Sequence, residues 1–336
     1  VAVGGRGGVV SRAKQPHIVV VGAGAFGGWT PLYLRRQGAR VTLLDAWGPG
    51  NSRASSGGET RVIGATYGPR EVYTRMAARA LVLWKENEKR WNQKLYHGIG
   101  VLWLVESDDQ YEKAALPVLR AANIRVEELS GPDVSKRYPQ INCDRVRWAI
   151  FEPDGGYLLA RRACAAVLDA FIAEGGEYKQ LAVERPAPPP SRGQLASVTL
   201  SDGSRLSADR FVFACGPWLS SLFPDVIGDR VKATRQEAFF FGTPPGDQRF
   251  TDGAMPVWAD HGTTFMYGIP GNEWRGFKVA DDTRGPVVDP TTQPRVPSAE
   301  SIQKAQDYIA YRFPGLKGAP LVEARVCQYE ESPDEH

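Results

Sequence analysis

The sequence predicts an α/β protein: a mostly parallel sheet flanked by helices, joined to a smaller, β-rich α+β domain. Three observations predict it. A β-branched run, His17-Ile-Val-Val-Val21, leads into a glycine turn, a helical stretch and a second strand that stops at Asp45. Residues 231–280 are instead rich in aromatics and short strand-like runs. At 336 residues the chain exceeds one ordinary core and fits two domains, at roughly 100–200 residues each.

Taken in order, residues 1–16 are Gly-rich and basic, lack the apolar run of a signal peptide, and read as a disordered leader. His17–Val21 has the continuous apolar character of a buried parallel strand. A helix follows through Leu32, Leu34 and Arg36 to Gly38, and Pro31 inside it is expected to disturb a turn. Val41–Leu44 is the second strand. Residues 71–94 form a helix with Val72, Met76, Ala80, Leu83 and Trp84 along its apolar face. Gly100–Val105 reads as a strand, and 109–122 and 160–174 as helices. The proline-rich stretch Arg185–Gly193 suits a surface hairpin connection rather than a sheet. Ser197–Leu200, the turn Ser201–Ser204 and Asp209–Ala214 read as a meander feeding a buried strand. No internal repeat is visible.

Composition narrows the function. Lys and Arg number 41 against 38 Asp and Glu, a formal charge of +3 scattered along the chain. That balance carries no footprint for nucleic acid or an anionic membrane. No apolar run reaches the ~18–20 residues that span a bilayer. Cys143, Cys164, Cys215 and Cys327 lie far apart without a CxxC pair, so neither a metal site nor a disulfide scaffold is expected, and a cytoplasmic setting is.

Gly22-Ala23-Gly24-Ala25-Phe26-Gly27 between the two strands is a Rossmann-type dinucleotide turn. Gly22 permits the tight turn, Gly24 lets a pyrophosphate approach the backbone, and Gly27 lets helix pack on strand. The helix start then offers N–H groups and a positive dipole end to phosphates. Asp45, followed by Ala46 and Trp47, is placed to accept from a ribose 2′-hydroxyl. This motif does not choose between FAD and NAD. The segment Gly48–Arg61 is rich in small residues and suits either a flexible loop or a backbone laid against a cofactor.

At Ser55-Ser56-Gly57-Gly58-Glu59-Thr60-Arg61, continued by Val62-Ile63, the chain resembles the sarcosine oxidase branch of the D-amino-acid-oxidase-like flavoproteins. Further matches are Phe151–Gly156, Phe213-Ala-Cys215-Gly216-Pro-Trp218, Tyr267–Pro270, Lys278 and Val326–Tyr329. The resemblance implies a Rossmann-type FAD-binding domain over 17–95, 158–230 and 322–336, with a substrate domain over 96–157 and 231–321. It implies that Val183, Cys215, Gly216 and Trp218 touch the flavin nucleotide, together with Ser55, Ser56, Gly58, Glu59, Thr60 and Arg61. By the same resemblance Cys327 stands where some relatives attach FAD through a thioether and others hold it without one. Lys278 matches a lysine that activates O2, Arg61 a cation near the flavin ring, and Tyr267 a tyrosine that orients the amine. The implied reaction is oxidation of the C–N bond of a small amine or amino acid to an imine, with O2 reduced to hydrogen peroxide. A flavin dehydrogenase feeding a quinone or carrier, and a catalytically degenerate flavin-binding protein, are the alternatives.

Two departures from the pattern stand out. Gly64 occupies the place of an arginine that clamps the substrate carboxylate, and Asp282 that of an active-site histidine, which disfavours sarcosine itself and favours a more cationic or bulkier amine. The chain also stops at Ser332–His336, before a further strand, glycine-rich segment and helix that the family pattern leads one to expect.

Overall fold

The computed structural model describes residues 15–107, 109–186, 194–262 and 264–334. Most of the expected leader, residues 1–14, and 187–193 of the proline-rich connection lie outside the described residues. Contacts group the chain into two units, Val1–Gly48 with Val167–Cys215, and Pro49–Ala166 with Gly216–His336.

In the first unit four parallel strands run in the order Arg210–Phe213, His17–Val21, Arg40–Leu44, Glu177–Lys179. Val19, Val20, Leu43 and Leu44 are all fully buried, as continuous apolar strands in a covered parallel sheet should be. The helix Ala25–Arg36 crosses between the first two strands. The helix runs on through Pro31. The N–H it lacks costs one hydrogen bond near the helix start, to the carbonyl of a glycine, Gly27, and the ring is buried. Arg210–Phe213 is a half-buried edge strand rather than the fully buried one expected, because only His17–Val21 flanks it. The expected meander is a separate antiparallel hairpin, Ser197–Thr199 with Arg205–Ser207.

The second unit is built on an eight-stranded sheet. Its order is Leu321–Glu331, Lys232–Phe241, Phe277–Asp281, Phe265–Ile269, Val257–His261, Val101–Val105, Trp148–Glu152, Glu127–Ser130. Neighbours are antiparallel except Val257–His261 beside Val101–Val105. Side chains alternate between faces, and the faces differ in chemistry. Leu102, Leu104, Trp258, Met266, Phe277, Val279, Phe239 and Phe241 occupy one face, where they pack with Ala305, Ile309 and Phe313 of and beyond the helix Ala299–Arg312. Trp258, Phe277 and Phe313 meet with centroids 4.8–6.0 Å apart. Burying such rings stabilises the fold by roughly 3–5 kcal/mol each, judged from truncation costs. Arg312, wholly buried, is held there by Asp260 at 2.8 Å and Glu106 at 2.9 Å.

A three-stranded sheet, Arg61–Ile63, Gly156–Leu158 and Tyr96–His97, packs on part of the other face: Val62, Tyr157 and Leu159 cluster with Val101, Val257 and Ile269. The helix Glu71–Trp91 corrects the expected stripe. Its buried residues are Thr74, Leu81, Trp84 and Asn87, while Val72 and Met76 are 60% and 58% exposed. Tertiary contacts override the pattern here, since the Thr74 hydroxyl donates to the Ala65 carbonyl and so fixes which face turns inward.

Candidate active site

In the first unit the glycine turn closes as its sequence demands. Gly22 has φ +103°, and a Cβ there would lie 2.3 Å from the Ala214 carbonyl oxygen. A Cβ on Gly27 would lie 1.7 Å from the Gly22 oxygen. Neither position admits a side chain. The helix Ala25–Arg36 has Gly24 at its N-cap, which supplies no side-chain hydrogen bond to the first turn. Asp45 ties the turn to the second strand: Oδ2 accepts from Ala23 N–H at 2.7 Å, and Oδ1 from Trp47 and Gly48 N–H at 2.8 and 2.6 Å. Beside Gly48, the hydroxyl of Tyr178 is buried without a hydrogen-bond partner. Phe26 and Trp47 are 84% and 41% exposed. Cys215 packs its thiol on the Val21 carbonyl, and burial pushes its pKa up to about 12. Val183 bridges Leu200 within the small apolar cluster of this unit.

In the second unit strand register collects the expected chemical residues on the sheet face opposite the apolar core. Tyr267 pairs with Ala280 and Ala259, Ala280 with Ala238, and Ala238 with Arg325. Two residues along their strands the same face carries Lys278 and Cys327, and four residues beyond Arg325 it carries Tyr329. Alanines therefore flank Tyr267 along this row.

Lys278 is 6% exposed, and its ammonium donates to the Thr60 carbonyl at 3.0 Å. Burial, then Arg61, lowers its pKa to about 7. Arg61 donates to the Ser55 carbonyl at 2.7 Å. Burial alone would lower its pKa, but Tyr267, Cys327, Tyr329 and Glu330 together raise it, so this guanidinium stays charged. The Cys327 sulfur lies 3.8 Å from the Ser55 oxygen. Lys278 stands 6.0 Å from the centre of the Tyr267 ring.

The segment 55–61 is braced from several sides. The Ser55 hydroxyl donates to Glu330 at 2.5 Å. Glu59 pairs with Arg325 at 2.8 Å, Arg275 at 3.2 Å and Arg161 at 3.3 Å. The Thr60 hydroxyl is buried without a partner. Ser56 and Gly58 share the segment with these groups. Gly216 lies against Glu330, while Trp218 donates to Thr291 at 2.9 Å.

Three residues outside the expected set join the site: Tyr329 and Glu152 on this face, and Glu330, one position on from Tyr329 and so on the other side of the strand. Tyr329 donates to Asp282 at 2.8 Å and lies 3.3 Å from the Tyr267 hydroxyl. Glu330 holds Ser55. Glu152, wholly enclosed, accepts from Ala65 and Thr66 N–H, the Thr66 hydroxyl and Trp103, and burial raises its pKa. Beside it lies Gly64, where a Cβ would sit 3.4 Å from the Glu152 carboxylate. The alternation Arg325, Cys327, Tyr329 along one strand was the available signal for Tyr329.

Among the described residues no cluster of His, Cys, Asp and Glu has the make-up of a metal site, and no helix is long and apolar enough to cross a membrane.

Comparison with known proteins bears on the family and the fold. The profile of the DAO family, FAD dependent oxidoreductase, matches residues 17–336. Monomeric sarcosine oxidase of Arthrobacter sp. (strain TE1826) is 27% identical over 333 residues, covering 97% of this chain and 84% of that protein. N-methyl-L-tryptophan oxidase of Yersinia pestis is 24% identical, covering 95% and 84%. Two solved structures share the fold. L-proline dehydrogenase from P. horikoshii has a TM-score of 0.80 at 17% identity, covering 95% of this chain and 83% of that one. NikD, an unusual amino acid oxidase essential for nikkomycin biosynthesis, has 0.76 at 21%, covering 96% and 84%.

Proposed function

This chain belongs to the DAO family of FAD dependent oxidoreductases, and on that premise we propose that it oxidises the C–N bond of a small amine or N-substituted amino acid to an imine, with O2 as electron acceptor and hydrogen peroxide as product. The observation that carries the proposal is the row formed by Lys278, Tyr267 and Cys327 on one face of the eight-stranded sheet, beside the braced segment 55–61 that ends in Arg61. Similarity to monomeric sarcosine oxidase and N-methyl-L-tryptophan oxidase supports the amine class.

The donor set fits FAD. In the first unit, Gly22, Ala23, Gly24, Ala25, Phe26 and Gly27 would hold the pyrophosphate by backbone and helix start, and Asp45, Ala46 and Trp47 the ribose. The unpartnered Tyr178 hydroxyl and the unpartnered Thr60 hydroxyl are buried polar atoms of the kind a bound ligand satisfies. We place Val183 and Cys215 with the nucleotide, and Ser55, Ser56, Gly58, Glu59, Thr60, Arg61, Gly216 and Trp218 with the same cofactor. Cys327 would carry the thioether. The functional division over 17–95, 158–230 and 322–336 against 96–157 and 231–321 belongs to the same proposal.

Bound FAD supplies the two-electron acceptor chemistry. The chain supplies placement and charge. Arg61, half-buried, holds a fixed positive charge beside the row. Lys278, balanced between its two protonation states near neutral pH, offers a cation where negative charge develops on oxygen. Tyr267 presents a hydroxyl to the amine. Gly64 offers no guanidinium fork for a carboxylate, and Asp282 adds negative charge at the far end of the row. Both weigh against sarcosine and toward a cationic or bulkier amine. A cytoplasmic setting, expected from the wide spacing of the four cysteines, belongs to the same proposal.

A panel containing sarcosine, N-methyl-L-tryptophan and N-methylbenzylamine tests the reading through peroxide release. Peroxide from an amine lacking a free carboxylate is expected. Flavin reduction without peroxide would replace the oxidase by a dehydrogenase, and turnover of sarcosine alone would remove the substrate argument.

A further inference from the structure

We propose that Tyr267, Tyr329 and Asp282 form a proton relay that takes the ammonium proton from the substrate amine and delivers it to the Asp282 carboxylate, an inference resting on the amine-oxidising reading above. The three groups come from different strands. Asp282 follows Phe277–Asp281, with its N–H on the Phe265 carbonyl at 2.8 Å, while Tyr267 lies on the neighbouring strand and Tyr329 two strands away on the other side. Their oxygens nevertheless form one line. Tyr329 donates to Asp282 Oδ1 at 2.8 Å, and the two phenol oxygens are 3.3 Å apart.

The line has a direction. A carboxylate only accepts, so Tyr329 gives its proton to Asp282 and accepts one from Tyr267. The lone pairs of Tyr267 are then turned toward an N–H donor. The line also has an exit, because the Asp282 side chain keeps 24% of its surface exposed.

Surrounding charges explain why a relay is needed. Oxidation draws on the nitrogen lone pair, which an ammonium ion lacks. An ammonium ion brought near Arg61 and buried Lys278 is repelled, so loss of its proton is favoured there. Burial raises the pKa of both tyrosines, which makes them conductors of a proton rather than bases. The base is Asp282. Burial raises its pKa and Asp281 adds to this, whereas Tyr329, Arg284 and Arg61 lower it. Arg284 also pairs with Glu331, Asp281 with Lys304, and Tyr111 senses the Asp282 charge from its own helix. In the transfer one N–H bond breaks and its electron pair stays on nitrogen. An O–H bond forms on Tyr267, whose proton moves to Tyr329, whose proton moves to Asp282 and then to water. No group is oxidised or reduced in the step.

The test uses the FAD-loaded full chain, wild type, Asp282→Asn and Tyr329→Phe, with the three amines named above. Anaerobic flavin reduction is followed from about pH 6 to about pH 10. Both variants are expected to lose roughly 10²-fold at neutral pH and to recover toward wild type at high pH, where the amine arrives already neutral. An unchanged profile, or a loss equal at every pH, overturns the relay. If no amine reduces the wild-type flavin, the amine-oxidising reading fails on its own. A second measurement then judges the relay by itself. Calorimetry of saturating tert-butylamine, which has no hydrogen on the carbon next to nitrogen, is run in two buffers of different ionisation enthalpy. Wild type is expected to release close to one proton per site and Asp282→Asn clearly less. No release by wild type overturns the relay.

Discussion

At the scale of single residues, Lys278 makes the most exacting claim, because its burial affects both stability and chemistry. In the unfolded chain a lysine keeps its proton up to about 10.5, whereas in the fold Lys278 loses it near about 7. The folded value is the lower one, so the fold bears the full penalty below about pH 7 and is relieved of it as pH climbs toward about 10.5. The gap corresponds to roughly 5 kcal/mol at most. The flavin-free Lys278→Met variant is therefore expected to melt above wild type near pH 6, with the advantage shrinking toward pH 10; an advantage independent of pH contradicts the burial argument. In the loaded enzyme the same change is expected to slow return of electrons to O2 by roughly 10²-fold or more, read by stopped-flow reoxidation. Cys327 allows a simpler check. Acid precipitation should leave yellow colour in the wild-type pellet and move it to the supernatant in Cys327→Ser; colour in both supernatants removes the thioether.

At the scale of elements, the two faces of the eight-stranded sheet should respond differently to mutation. Arg312→Ala leaves Asp260 and Glu106 as unpaired charges on the core face, and urea unfolding is expected to show a loss of about 3–5 kcal/mol. Gly27→Ala drives a Cβ into the Gly22 carbonyl and is expected to abolish FAD retention, read by gel filtration of the yellow protein. Full retention would contradict the packing of helix on turn. These elements also show what the sequence made legible. Gly22 to Asp45 is a local pattern whose spacing alone demands a turn, and it folds as read. Val72 and Met76 form a plausible apolar stripe, yet the partner that decides the buried face, the Ala65 carbonyl, is tertiary. Pro31 was weighed by a rule for helix interiors, but here the missing bond falls in the second turn and the ring finds a buried place. Lys278, Arg61, Tyr267 and Cys327 were found through motif resemblance, since nothing in their spacing brings them together. Tyr329 and Asp282, 47 residues apart, meet only through strand register, which composition does not reveal.

At the scale of the whole molecule, one unit carries a glycine turn suited to a dinucleotide, and the other a sheet face with a buried lysine, a thiol and two tyrosines. The first unit encloses a Tyr178 hydroxyl, and the second a Thr60 hydroxyl, without a hydrogen-bond partner among the described residues. The central claim is that the chain holds FAD and uses it on amines. The most direct measurement is the visible spectrum of the FAD-loaded protein during anaerobic addition of N-methylbenzylamine, followed by air. The account predicts a flavin spectrum that bleaches with the amine and returns with air as peroxide appears. A protein that takes up no FAD, or a flavin that stays oxidised with every amine of the panel, would contradict it.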